Sequence, residues 1–88
     1  MEKNMVEKIK GDLKLKIDHY NKLVKDGEPW ADIAQLNIIR GTLDGLQLVE
    51  LIVAKRLDFD GDYITCVEIE EPSGLKHQLI FNIGGNNE

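Results

Sequence analysis

Three aspartates at alternate positions, Asp58, Asp60 and Asp62, are the residues of this chain best spaced to act together on a ligand. Carboxylates at every second position are how a calcium loop offers its oxygens, with a glycine at the sixth loop position and a bidentate glutamate at the twelfth. Here the glycine is Gly61, the fourth position counted from Asp58, and the twelfth is Ile69, flanked by Glu68 and Glu70. The intervening residues alternate like a strand, and no helix comes after the loop. Asp58 to Asp62 therefore read as a solvated acidic turn, and no metal ligand is assigned.

The remaining reactive side chains are scattered. His77 falls on the apolar side of a strand beside Ile69, with no acid or nucleophile apparent to act with it. His19 lies among the charged positions of the first helix and reads as a surface residue. Cys66, the only cysteine, cannot form an internal disulfide, and a strand cysteine is ordinarily a small filler. Two distant histidines and one cysteine have no metal-ligand spacing. Glu50 sits among Leu43, Leu46, Val49 and Val53, where it either reaches the rim or takes Lys14 or Lys16 as partner. Arg40 and Asp44 form an i,i+4 surface pair. Gly41 and Gly45 lie within a helical pattern, so they cannot cradle a phosphate, and no nucleophile elbow or dinucleotide fingerprint occurs. The chain reads as a non-enzyme without a cofactor.

Composition points the same way. Eighty-eight residues make one domain at most, with a small core. The net charge of −5 disfavours nucleic acid as a partner. The lysines of the first helix (Lys3, Lys8, Lys10, Lys14, Lys16, Lys22, Lys25) alternate with Glu2, Glu7, Asp12 and Asp18, and no arginine joins them. No run reaches membrane-spanning length, and MEKNMVEKIK lacks the apolar centre of a signal peptide. A cytoplasmic protein is expected.

The elements that must position these residues can be read from periodicity. Residues 2–26 read as an amphipathic helix with Val6, Ile9, Leu13, Ile17, Tyr20 and Val24 on one stripe. Gly27 and Pro29 mark a cap and a new start, so the next helix should return as an antiparallel neighbour. Residues 30–57 read as one long helix with two apolar stripes. Leu36, Ile39, Leu43, Leu46, Val49, Val53 and Leu57 form the first; Ala31, Ala34, Ile38, Gly41, Gly45, Leu48 and Ile52 form the second. Such a helix needs cover on two sides, one from the first helix and one from the C-terminal segment. The small residues suggest close packing against the first helix or, more pointedly, a self-association strip of Ala34, Ile38, Gly41, Gly45 and Leu48. A kink near Gly41 is a third reading.

From residue 63 the period becomes two, which predicts a β-hairpin turning at Glu71-Pro72-Ser73-Gly74. The turn chemistry sets a register: Glu70 opposite Lys76, Ile69 opposite His77, Glu68 opposite Gln78, Val67 opposite Leu79 and Thr65 opposite Phe81. The expected fold is α+β, in the order ααββ: an antiparallel helical hairpin and a β-hairpin packed on the long second helix. One domain is expected over residues 1–83, with 84–88 a disordered tail.

The residues support two functional readings. The first is a small acidic interaction protein that binds another protein or complex and inhibits or adapts it. In size and charge the chain resembles the small accessory proteins of phages and other mobile elements, among them inhibitors of host defence and polymerases. Asp58, Asp60 and Asp62 at the hairpin base, and Glu70, Ser73 and Lys76 at its tip, are the expected partner contacts, because protruding turns meet partners readily. The alternative is a self-assembling component, a homodimer through the glycine strip or through a strand edge.

Overall fold

The computed structural model describes residues 2–82. The expected tail and the domain end at residue 83 lie outside the described residues. Two helices, α1 (Lys3–Asp26) and α2 (Pro29–Leu48), precede three strands, β1 (Ala54–Asp60), β2 (Tyr63–Glu70) and β3 (Lys76–Ile80). The strands form one antiparallel sheet in the order β1-β2-β3. The architecture is α+β, helices then strands, as expected.

The helix α1 buries Val6, Leu13, Ile17 and Tyr20 along its single apolar stripe. Its other side is laced with i,i+4 pairs: Lys14 with Asp18 at 2.7 Å, Lys16 with Asp12 at 2.5 Å and Lys22 with Asp26 at 3.1 Å. These lysines have local partners, so neither Lys14 nor Lys16 serves Glu50. Gly27 ends the helix at φ 69°, its N–H donating to the Val24 carbonyl while Glu28 N–H reaches Leu23. This Schellman arrangement needs a left-handed residue, which glycine adopts without strain. The helix α2 then returns along α1, and Gln35 donates to the Lys16 carbonyl at 3.3 Å.

The long second helix is shorter than its pattern predicts. It stops at Leu48, and the remaining stretch to Leu57 becomes a connection and a strand. The stop is a second Schellman arrangement: Glu50 N–H donates to Gln47 and Leu51 N–H to Leu46. Here the left-handed position is held by Glu50, at φ 59°, the sole non-glycine residue with positive φ among the described residues. Glu50 is thus a cap residue and not a carboxylate on a helical stripe. Val53 N–H donates to the Glu70 carbonyl at 2.8 Å, and from Ala54 the chain pairs with β2. The gain is a third strand, where a two-stranded ribbon would be marginal in water. Asp58 to Asp62 accordingly end β1, not a helix, and Gly61 at φ 62° belongs to the two-residue turn into β2.

The β2–β3 hairpin has the expected register at Glu70–Lys76, Ile69–His77, Glu68–Gln78 and Val67–Leu79. Phe81 lies just beyond β3, and its N–H donates to the Thr65 carbonyl at 2.8 Å. Gly74, at φ 94°, donates its N–H to Glu71 and closes the turn.

One core joins the elements: Leu13, Ile17 and Tyr20 from α1, Ile39 and Leu43 from α2, Ile52 from the connection, Ile64, Val67 and Ile69 from β2, and Phe81. The sheet meets α1 more closely than α2. Asn21 of α1 acts as a substitute strand, its amide donating to the Ile64 carbonyl at 3.0 Å and accepting the Ile64 N–H at 2.9 Å. Tyr20 donates its hydroxyl hydrogen to the Asp62 carbonyl. Because α1 and the sheet both face the first stripe of α2, the second stripe gains no cover from the hairpin up to Leu48, and only Ile52, beyond the helix, joins the core.

Candidate functional site

At about 100° per residue, Ile39 and Leu43 of α2 point into the core while Trp30, Ala34, Ile38, Gly41 and Leu48 point away from it. The outward stripe is apolar and open. Trp30 is 84 % exposed, Leu48 83 % and Ile38 51 %, with Val49 beside them. A methyl group built at Gly41 or Gly45 would meet nothing within 4 Å. Close packing of these glycines against α1 is therefore not what the fold does with them. The expected strip, Ala34, Ile38, Gly41, Gly45 and Leu48, lies together on one outer face. No charged side chain interrupts it. Asp44, at its edge, is turned aside by an ion pair with Lys55 of β1.

The other expected contacts separate into two groups. Asp58, Asp60 and Asp62 lie at the β1–β2 turn, at one end of the sheet; Glu70, Ser73 and Lys76 lie at the β2–β3 tip, at the other. With β2 eight residues long, about 3.3 Å per residue puts these groups roughly 25 Å apart. They do not form one site. Asp58 faces Arg56 Nε at 3.1 Å, and Glu68 lies 3.6 Å from Arg56 Nη2. The nearby carboxylates, Asp58 first and then Glu68, raise the Arg56 pKa above its usual value. Gln78 also donates to Glu68, so the outer sheet face is a mutually satisfied polar ladder. At the β1–β2 turn Tyr20 holds its proton more tightly than usual, chiefly through burial and then through the charges of Asp62 and Asp32. Among the described residues no group of three or more histidine, cysteine, aspartate or glutamate side chains is placed to hold a metal ion.

One pair is not foreseen from the sequence. Glu71 is buried, 5 % exposed, and its Oε2 lies 2.5 Å from His77 Nε2. His77 does have an acid aimed at it. The signal is present in the register: Glu71 stands two residues beyond Ile69, on the same face, and Ile69 faces His77. The pair lines a groove of about 500 Å³ together with Val6, Glu7 and Lys10 of α1 and Ser73 of the turn. A carboxylate that orients an imidazole is half of an acid–base device. Among the described residues, however, His77 has no side-chain hydrogen bond other than that to Glu71, so no nucleophile completes it. Every buried side-chain nitrogen and oxygen among the described residues has a partner, which makes the pair a satisfied link between the strand and the turn. Cys66 is buried on β2.

No protein-family model, curated protein or solved structure matches the chain. Among the described residues no helix is long and apolar enough to cross a membrane.

Proposed function

We propose that this chain is a small acidic, non-enzymatic interaction protein of the cytoplasm, one that binds another protein or protein complex and inhibits or adapts it, in the manner of a phage or mobile-element accessory protein. The observation that supports the reading is the open apolar face of α2. Contiguous apolar patches beyond a few hundred Å² are uncommon on proteins that act alone, and patches of this kind mark contact surfaces. Tryptophan is among the commonest energetic anchors of such contacts, and Trp30 stands at one end of the face. The acidic turn at Asp58, Asp60 and Asp62 and the tip at Glu70, Ser73 and Lys76 project from opposite ends of the sheet and offer polar contacts outside that face.

The test is affinity capture of the tagged chain with and without nuclease, alongside a variant carrying Ile38→Glu and Leu48→Glu. Both positions are exposed, so the variant keeps the core. The expected result is one stoichiometric protein that survives nuclease and is lost from the variant. Capture that depends on nucleic acid, or that the variant leaves unchanged, contradicts the reading.

A second reading, a self-assembling component that acts as a homo-oligomer, is favoured by the alternation of bulky and small residues along the same face. A dimeric binder satisfies both.

A further inference from the structure

We infer that the occupant of the outer α2 face is a second copy of this chain, packed antiparallel across a two-fold axis that passes between Ile39 and Arg40. The inference rests on α2 being the contact surface and names what covers it. Three properties of the face carry it.

The first is spacing. Ala31, Ala34, Ile38, Gly41, Gly45 and Leu48 recur at alternating steps of three and four, the seam of a two-helix contact. The second is self-complementarity. When two copies run antiparallel with position sums of 79, every seam residue meets one of the opposite size class or leaves the backbones free to approach. Ile38 of one copy falls on Gly41 of the other, Leu48 on Ala31, and Ala34 on Gly45, while Trp30 falls on Val49. An isologous contact uses each of these layers twice. The open space around Gly41 and Gly45 within a single chain is the notch that the Ile38 side chain of the other copy fills. The third is area and charge. Trp30, Ile38, Leu48 and Val49 together expose on the order of 550 Å² of mostly apolar surface, about two thirds of the roughly 800 Å² per partner of a standard interface. The chain carries a net −5, yet the seam carries no charge, so like-charge repulsion does not fall on the contact line.

The contact is tested by mass in solution and by engineered disulfides in a Cys66→Ala background. Light scattering of the wild-type chain at about 100 µM should give twice the 10.0 kDa of one chain. A variant carrying Gly41→Leu and Gly45→Leu should remain folded, because both positions lie on the outer face and a Cβ at either meets nothing within 4 Å, and its dimer should weaken at least tenfold. Leu15→Glu, on the exposed side of α1, should leave the mass unchanged. On mild oxidation the double variant Ala34→Cys, Gly45→Cys should form a covalent dimer, whereas each single variant should not. A wild-type mass of one chain overturns the inference, as does a dimer that the glycine variant leaves intact. Cross-linking of the single variants would show a parallel pairing and would equally overturn it. A monomeric wild-type chain whose partner capture is still lost on Ile38→Glu, Leu48→Glu would leave the interaction reading standing while removing the second copy as occupant.

Discussion

Ile38 and Ile39 are neighbours in the chain, carry the same side chain and belong to the same helix, yet their surroundings are opposite. Ile39 is wholly buried between α1 and the sheet, whereas Ile38 is 51 % exposed on the far side of α2. The helix α1 shows what an ordinary outer face looks like in this molecule, with lysines and aspartates paired at i,i+4 along it. The outer side of α2 has no such pairs, and glycine, alanine and large apolar residues stand where charges would be expected. The contrast separates two uses of apolar surface: one stripe holds the fold together, and the other is available for contact.

The contrast is most sharply broken at these two isoleucines. In dilute solution, Ile39→Ala should cost about 2–5 kcal/mol of unfolding free energy, the range for emptying a filled core site. Ile38→Ala under the same conditions should change it by no more than about 0.5 kcal/mol. Denaturant melts of the two variants measure both values, and equal losses would abolish the distinction between the faces.

A smaller effect is expected where α1 joins the sheet. Asn21→Ala leaves the Ile64 N–H and carbonyl without their partner, at about 1–3 kcal/mol. Amide exchange at Ile64 should accelerate with it. Smaller still, and opposite in sign, is Glu50→Gly. It relieves a left-handed backbone that costs a side-chain-bearing residue roughly 1 kcal/mol, so the melting temperature should rise by a few degrees. The smallest is Lys14→Ala on the outer face of α1, where an exposed pair with Asp18 is worth about 0.5 kcal/mol or less. Double-mutant cycles with Asp18→Ala read it directly.

These same positions explain what can be read from the sequence. The first helix and its end are legible because Gly27 and Pro29 carry the cap chemistry in their residue types. The second helix reads about nine residues too long because its cap uses Glu50, whose residue type gives no stop signal, and because Val49, Val53 and Leu57 also fit a helical spacing. The hairpin register is legible down to individual pairs, since turn type, charge pairing and alternation agree. The strand Ala54–Asp60 is not, although Leu57-Asp58-Phe59-Asp60 alternates, because Val49, Val53 and Leu57 continue the helical spacing into it and its pairing with β2 is a non-local gain. Ala34, Ile38, Gly41, Gly45 and Leu48 are recognisable as a set, and they do share one face. Its exposure is not legible, because which stripe of α2 gains cover depends on where the sheet docks. Glu71 goes unnoticed as the acid beside His77 although the register places it there.

The central claim is that a second copy takes the outer face of α2 out of water, and Trp30, the single tryptophan of the chain, reports on that face directly. Its emission spectrum and its quenching by acrylamide should be followed from about 100 µM down to about 0.1 µM, a range wide enough to dissociate a micromolar dimer. A blue-shifted, protected tryptophan that turns red-shifted and quenchable on dilution is the expected result. Emission that is red-shifted and fully quenchable at every concentration would mean that a second copy does not cover the face, and would contradict the account.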